Sequence, residues 1–436
     1  MANSQLQTLR SVMIALAAVQ LVTAASSTLV SLYFAETGAS QSIAALASAM
    51  YSMGFLLGCF YAAGPISSIG YIRAFSAAAA LSAASALLFS LTEFVPALLF
   101  VRMMTGVATA GLFAVGDSWI NESSGNESRG RLLSIYAVAM GLMSVASQLV
   151  IMFVPEDLNK SFVLVSLLYC FAIVVIAAAR TDPPEIKSKA AVRLRGLFKE
   201  SPSAFTGSFV VGAIQTAILS IVPFRYAMIG LTATNISILI GALYLGRILF
   251  QFHLGKYSDK VDRRIVILGT ASVATILLFG LSFLGSGDGA FMMEILDNFG
   301  YWPILLLSIL LGGSLLTMYS LLVAHALDRT PPVFVSANAI TMLFTYTVGC
   351  VAGPLFVSVL SEFWGDGALA WITFSLMAAF TCLLIYRIKT VAPAERAEKV
   401  SRVAVTQNSV ELPPTEKREE HATAQATTDG IEDDQE

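Results

Sequence analysis

The chain has 436 residues, of which 56% are hydrophobic and only 13% charged, with a mean hydropathy of +0.75. That balance excludes an ordinary water-soluble domain, which carries about a quarter of its residues as charges and has no need of helices that are apolar all round. The formal net charge of −3 comes from an acidic C-terminal segment and gives no ground for nucleic-acid binding.

The hydrophobicity comes in runs, each near the ~20 residues that cross a hydrocarbon core at 1.5 Å per helical residue. In chain order they predict spans over 12–34, 43–63, 74–91, 95–116, 132–153 and 161–179. A second set covers 204–224, 235–255, 265–284, 303–325, 335–360 and 369–386. The first run is too long for a signal peptide and lacks a small-residue cleavage site. Between the sets lies a polar linker, 181–203, with Lys187, Lys189, Arg193, Arg195, Lys199, Pro183 and Pro184. After Lys389 the chain turns rich in Glu, Thr, Ala and Pro and has too little apolar surface to fold. The expected organisation is therefore a short N-terminus (1–10), a six-span bundle (11–180), the linker (181–203), a second bundle (204–387) and a disordered tail (388–436).

Basic residues near span ends stay in the cytoplasm. With the N-terminus there, only Lys160 and Arg225 of the 26 Lys and Arg fall outside, and Arg102 and Arg247 lie within spans. The outer loops hold Glu36, Glu93, Glu156, Asp157, Asp288, Glu294, Asp297, Glu362 and Asp366. One misplaced span would invert every later loop and destroy this sorting. Asn121-Glu-Ser and Asn126-Glu-Ser match the glycosylation pattern but fall on the cytoplasmic side, so they read as chance. Cys59, Cys170, Cys350 and Cys382 all lie in apolar runs, and no disulfide framework is expected.

Matching loops follow the second and eighth spans: Ala63-Gly-Pro-Ile-Ser-Ser-Ile-Gly-Tyr-Ile-Arg73 and Gly255-Lys-Tyr-Ser-Asp-Lys-Val-Asp-Arg-Arg264. Such a duplication suits parallel repeats related by an axis along the membrane normal. Here the chain resembles the major facilitator superfamily. The second loop is similar to that family's signature, and Arg102-Met-Met-Thr-Gly106 to its Arg-x-x-x-Gly element; in the first loop Ser67 replaces the family's Asp, while Gly70 and Arg73 remain. Thr345-Tyr-Thr-Val-Gly-Cys-Val-Ala-Gly-Pro354 and Gln251 resemble a bacterial, sugar-transporter-like subgroup. The resemblance implies an all-α membrane protein, twelve helices in two six-helix bundles. Spans 1, 4, 7 and 10 would line a cavity, 2, 5, 8 and 11 would form the bundle interface, and 3, 6, 9 and 12 would be peripheral. Independently, the last four contain no charged residue.

Arg102 lies about 10 Å inside its span, where a charge is costly and faces protein or water. It either binds an anionic group or holds helices together. Tyr244, Arg247, Gln251 and Gly255 recur on one side of a helix, as a pore or an interface stripe. Gln20, Thr23, Gln148, Gln215, Thr216, Tyr319 and Tyr346 are neutral polar groups that orient a ligand or join helices. Asp117 stands about 22 Å along the helix from Arg102, too far to pair, and reads first as a gate charge within reach of Arg73 and second as a protonation site. Asp328, with Arg263 and Arg264 nearby, reads likewise, and Asp259 belongs to the same loop. A free histidine side chain titrates near neutrality, which would suit proton coupling, but His253 and His325 read first as structural.

Neither Gly-x-x-x-x-Gly-Lys-Ser/Thr, His-Glu-x-x-His nor Gly-x-Ser-x-Gly occurs, so ATP drive and these hydrolase chemistries are unsupported. The expected protein is no enzyme and needs no cofactor or metal. It is a monomeric secondary carrier of a small organic solute in a bacterial inner membrane, with lipid and, by resemblance, protons as its other partners. Two deep arginines without a comparably deep carboxylate favour an anionic or zwitterionic solute. Multidrug efflux, which Met103, Met104, Met140 and Met143 would suit, stays open, as does a non-transporting sensor or scaffold.

Overall fold

The computed structural model describes residues 2–61, 68–123, 129–153, 157–178, 192–284 and 290–390. Residues 181–191 of the linker, the tail, the first part of the loop before Arg73, Glu156, Asp288 and the Asn121 and Asn126 side chains lie outside the described residues. The first six long helices are α1 (Ala2–Glu36), α2 (Gln41–Tyr61), α3 (Tyr71–Leu91), α4 (Val95–Ser123), α5 (Arg129–Met152) and α6 (Leu158–Ala177). The second six are α7 (Pro202–Met228), α8 (Ala233–Ser258), α9 (Arg263–Leu284), α10 (Trp302–Asp328), α11 (Val335–Trp364) and α12 (Ala368–Thr390). All are long and apolar enough to cross a membrane, α11 and α12 forming one apolar stretch. Gly365, in the left-handed region at φ +61°, breaks that stretch into two helices.

Two short helices interrupt segments that the sequence reads as plain loops: Leu194–Glu200 in the linker and Ala290–Phe299 before α10. The second puts Phe291 and Phe299 on an exposed side, a pattern suited to lying in the membrane interface. Because the long helices alternate in direction, the start of α1, the end of α12 and the described part of the linker share one face, called here the terminal face; the other is the far face.

Many hydroxyls inside the apolar helices find partners locally. Thr105 and Thr109 each donate to the carbonyl four residues back at 2.8 Å, which keeps polar atoms satisfied where no water is available.

The halves pack by the same plan. α2 packs on α4, α1 on α5, α3 on α6 and α1 on α6; six helices later α8 packs on α10, α7 on α11, α9 on α12 and α7 on α12. The repeat extends to backbone contact. A Cβ on Gly106 would strike the Tyr51 carbonyl, and one on Gly54 the Met103 carbonyl. In the second half, Gly312 meets the Leu243 carbonyl and Gly246 the Ile309 carbonyl. Each pair is reciprocal, with the same three-residue offset on both helices. Gly212 and Gly349 do the same between α7 and α11, over Tyr346 and Phe209. Glycine lets helices approach this closely, and in lipid such packing replaces the hydrophobic drive.

Between the halves, α2 packs on α11, α5 on α8, and α1 on α7. The core windows of α4, α7 and α10 are each 67% buried, against 39% for α3 and α6, so the helices expected at the centre are central. Hydrogen bonds joining the halves gather near the far face. Gln41 donates to Ser361 at 2.8 Å, Ser42 and Ser358 exchange bonds with each other's carbonyls, and Ser31 donates to the Ser220 carbonyl. On the terminal side the Phe60 and Phe344 rings meet edge-on.

Gly106→Ala and Gly312→Ala are expected to lower the thermal midpoint of purified protein. Gly280→Ala, where the added methyl meets open space, is expected to be neutral or to stabilise by up to about 1 kcal/mol. Size-exclusion-coupled melting curves of the three variants check this.

Candidate functional site

The central cluster of the first half is built around Arg102, which α4 carries into the interior at 5% exposure. Its guanidinium lies over the Tyr51 ring, 4.6 Å from the centroid, and its Nε has no hydrogen-bond partner. A desolvated cation–π contact returns about 2 kcal/mol, while removing the charge from water costs several kcal/mol. The aromatic face alone therefore leaves the charge undercompensated. Tyr169 of α6 is within electrostatic reach of Arg102, and its hydroxyl is 3.4 Å from Thr23 Oγ1 of α1. One turn before Thr23, Gln20 donates to Ser144 of α5 at 2.9 Å.

The second half brings its expected polar groups together. Gln215 Nε2 donates to the Leu315 carbonyl at 2.6 Å, and Tyr346 Oη donates to Gln215 Oε1 at 2.8 Å. The Tyr319 ring sits 4.6 Å from the Tyr346 ring, centroid to centroid, and its buried hydroxyl has no hydrogen-bond partner. Arg247 interacts electrostatically with Tyr346 and Tyr244. Thr216 reaches the Cys350 thiol. Gln251 is half-buried. The clusters meet across α2 and α11, where Tyr51 and Cys350 interact. Gln148 makes no bond to either cluster; it donates to Ser147 at 3.0 Å and rests against Gly241 of α8.

At the terminal face Arg263 Nε donates to Asp328 at 2.5 Å, and the same guanidinium binds Asp259 at 3.2 Å and Ser258 at 3.0 Å. Arg264 does not join Asp328; it binds Asp262 at 2.8 Å. In the first half, buried Asp117 accepts from the Tyr136 hydroxyl at 2.8 Å. Arg73 is exposed, and no ion pair joins it to Asp117 among the described residues. His253 is exposed, with its ring nitrogen 2.8 Å from the Leu249 carbonyl, and His325 is buried. At the far face Arg225 pairs with Asp366 at 2.5 Å.

Sequence reasoning missed Tyr51, Tyr169 and Cys350. Tyr51 and Tyr169 carry no local mark of their neighbours, and only the packing of α2 and α6 near Arg102 selects them; Cys350 lies one turn after Tyr346 on α11 itself.

The sequence matches the Major Facilitator Superfamily over residues 12–295 and 204–423. The chain belongs to that superfamily. Its members are transporters, and this one is a multi-pass membrane protein. Among bacterial relatives, YfkF of Bacillus subtilis (strain 168), called an uncharacterized MFS-type transporter, is 25% identical over 377 residues, covering 84% of this chain and 92% of its own. YcaD of Escherichia coli O7:K1, with the same description, is 24% identical over 381 residues, covering 86% and 95%. Two solved structures share the fold. The nucleoside transporter NupG has a TM-score of 0.72 at 13% identity, covering 89% of this chain and 100% of that one. The D-xylose–proton symporter has a TM-score of 0.63 at 14% identity, covering 87% and 96%.

The major facilitator loop before α9 also has a pH signature. Burial raises the Asp262 pKa, but hydrogen bonds and charge from Arg264 outweigh it, and the carboxyl sits below the usual range. A lowered native value contributes stability that is fully present above the unfolded value of about 3.9 and is lost as pH falls through the native one. Asp262→Asn is therefore expected to lower the melting midpoint at neutral pH, with the gap to wild type closing below about pH 3. A melting series against pH reads this directly.

Proposed function

We propose that this chain is a secondary active carrier that moves a small organic solute, anionic or zwitterionic, across a bacterial cytoplasmic membrane. The two halves, 11–180 and 204–387, act as rigid bodies that rock about the central site, and the terminal face is cytoplasmic. One observation carries the charge assignment: Arg102 is buried on an aromatic face, with a free Nε and no ion pair among the described residues. An anion from outside the protein would complete that environment. In this reading Arg102, Gln20, Thr23, Gln215, Thr216, Arg247, Gln251, Tyr319 and Tyr346 surround the solute. Their hydroxyls and amides set its orientation, and Tyr51 holds the guanidinium.

The sorting of Lys and Arg supports the orientation. Bonds joining the halves near the far face support a conformation closed to the outside. Asp117, Arg73, Asp259, Arg263, Arg264 and Asp328 are the gate and coupling charges, whose partners exchange as the inner mouth closes. Proton coupling follows the printed name of one structural neighbour, the D-xylose–proton symporter. Monomeric action is part of the same reading.

Uptake into proteoliposomes, compared across carboxylates, sugars and amine drugs, tests the charge assignment. A carboxylate or zwitterion is expected to be preferred, with Arg102→Gln weakening its binding by about tenfold or more, the worth of a charged hydrogen bond. Preference for cationic drugs, undiminished in Arg102→Ala, would favour efflux instead; ligand binding without flux would favour a sensor.

The rocking motion has its own test. In a background without the native cysteines, Ser42→Cys with Ser358→Cys is expected to cross-link under oxidation and stop uptake, with recovery on reduction. Full uptake by cross-linked protein would sink the motion.

A further inference from the structure

A second polar site lies at the terminal face of the C-terminal half, apart from the central cluster. The start of α7, the first turn of α9, the end of α10 and the end of α12 border a small recess that opens to solvent. Ser201, Ser203, Arg264, His325, Arg329 and Arg387 line it. Positive groups outnumber negative ones. Arg264, at 4% exposure, is held by Asp262 through Nε and Nη2. The neighbouring Asp328 is bound to Arg263 at 2.5 Å. Arg329 and Arg387 add two further guanidiniums. The crowding is felt: the Arg329 pKa is pushed down, first by burial, then by the charge of Arg264, with Arg387 adding to it and Asp262 and Asp328 opposing.

The backbone adds to this field. Ser201 occupies the N-cap of α7, yet its side chain makes no capping bond. Its hydroxyl is instead buried, at 1% residue exposure, with no hydrogen-bond partner, on the wall of the recess. Pro202 follows at the first helical position. The next amides, at Ser203 and Ala204, have no intrahelical acceptor, and the dipole of a 27-residue helix is positive here. Guanidiniums, a free hydroxyl and a helix N-terminus thus converge on one volume. This is the donor set that binds tetrahedral oxyanions.

We infer that this recess is a binding site for a phosphate-type oxyanion. Its position, where helix ends meet the membrane surface, admits two sources of the same chemistry: the headgroup of an anionic phospholipid, or a free phosphate from the aqueous side. The forked guanidiniums of Arg329 and Arg387 grip the oxyanion, Ser201 donates its hydroxyl, and the first turn of α7 supplies backbone amides. Occupancy ties α7, α9, α10 and α12 together directly after the linker. The site is independent of the solute bound at the centre.

Native mass spectrometry and thermal unfolding of the purified full chain test this with three probes: phosphatidylglycerol, phosphatidylcholine and inorganic phosphate. Wild type is expected to retain phosphatidylglycerol over phosphatidylcholine, or to be stabilised by inorganic phosphate; the first outcome assigns a lipid headgroup, the second a free phosphate. Arg329→Gln with Arg387→Gln is expected to weaken the responding probe by about tenfold or more. Lys256→Gln with Lys389→Gln, which removes exposed charge from the same face, is expected to leave it unchanged. If the first double variant does not fold, Ser201→Ala, which removes only a hydroxyl, is expected to weaken the same probe. No response to phosphatidylglycerol or phosphate in wild type overturns the inference. So does an unchanged response in the recess variants, or an equal loss in the lysine control.

Discussion

Helix backbones touch at glycine in this protein, and the architecture depends on that contact. Water cannot drive apolar helices together inside a bilayer, so association rests on close packing and on polar groups that find partners. Gly54 and Gly106 seat α2 against α4, Gly246 and Gly312 seat α8 against α10, and Gly212 and Gly349 seat α7 against α11. A methyl at any of these positions collides with a carbonyl that cannot move without its helix. Contacts between the halves are different: serine and glutamine bonds at Gln41, Ser42 and Ser31, and the ring pair Phe60–Phe344. Such side-chain contacts exchange partners more readily than fused backbones do, which suits halves that move as units.

The repeat also shows where the halves diverge. The reciprocal glycines place Met103 opposite the role of Ile309, and therefore Arg102 opposite that of Ser308. By the same correspondence Arg247 of α8 stands where the first half has Phe55. Each cation is thus unique to its half on a shared scaffold. The frame is symmetric and the buried charges are not. Arg102 lies on the Tyr51 ring, and Arg247 interacts with Tyr346 and Tyr244.

The terminal face follows other rules, because solvent reaches it. Arg263 gathers Asp328, Asp259 and Ser258, while Arg264 turns to Asp262 and leaves the adjoining recess net positive. The first half has no equal network among its described residues; Asp117 there is held by a tyrosine hydroxyl. The sequence foreshadows that difference, since Ser67 replaces an aspartate in the first copy of the loop.

Hydrophobic run length and the sorting of Lys and Arg determined the spans, their grouping and the expected orientation from sequence alone, because both depend on local composition against a bilayer of fixed thickness. The fold class was legible for the same reason, as were the residues too polar for lipid: Arg102, Arg247 and Gln215. Which groups meet was not legible. Tyr51 joins Arg102 from α2, Arg264 chooses Asp262 over Asp328, and an uncapped Ser201 opens onto arginines from three other helices. Those choices depend on the rotation and crossing of helices far apart in the chain. Only the packed structure decides them, because in an apolar helix the sequence marks which residues are polar but not which way each one faces.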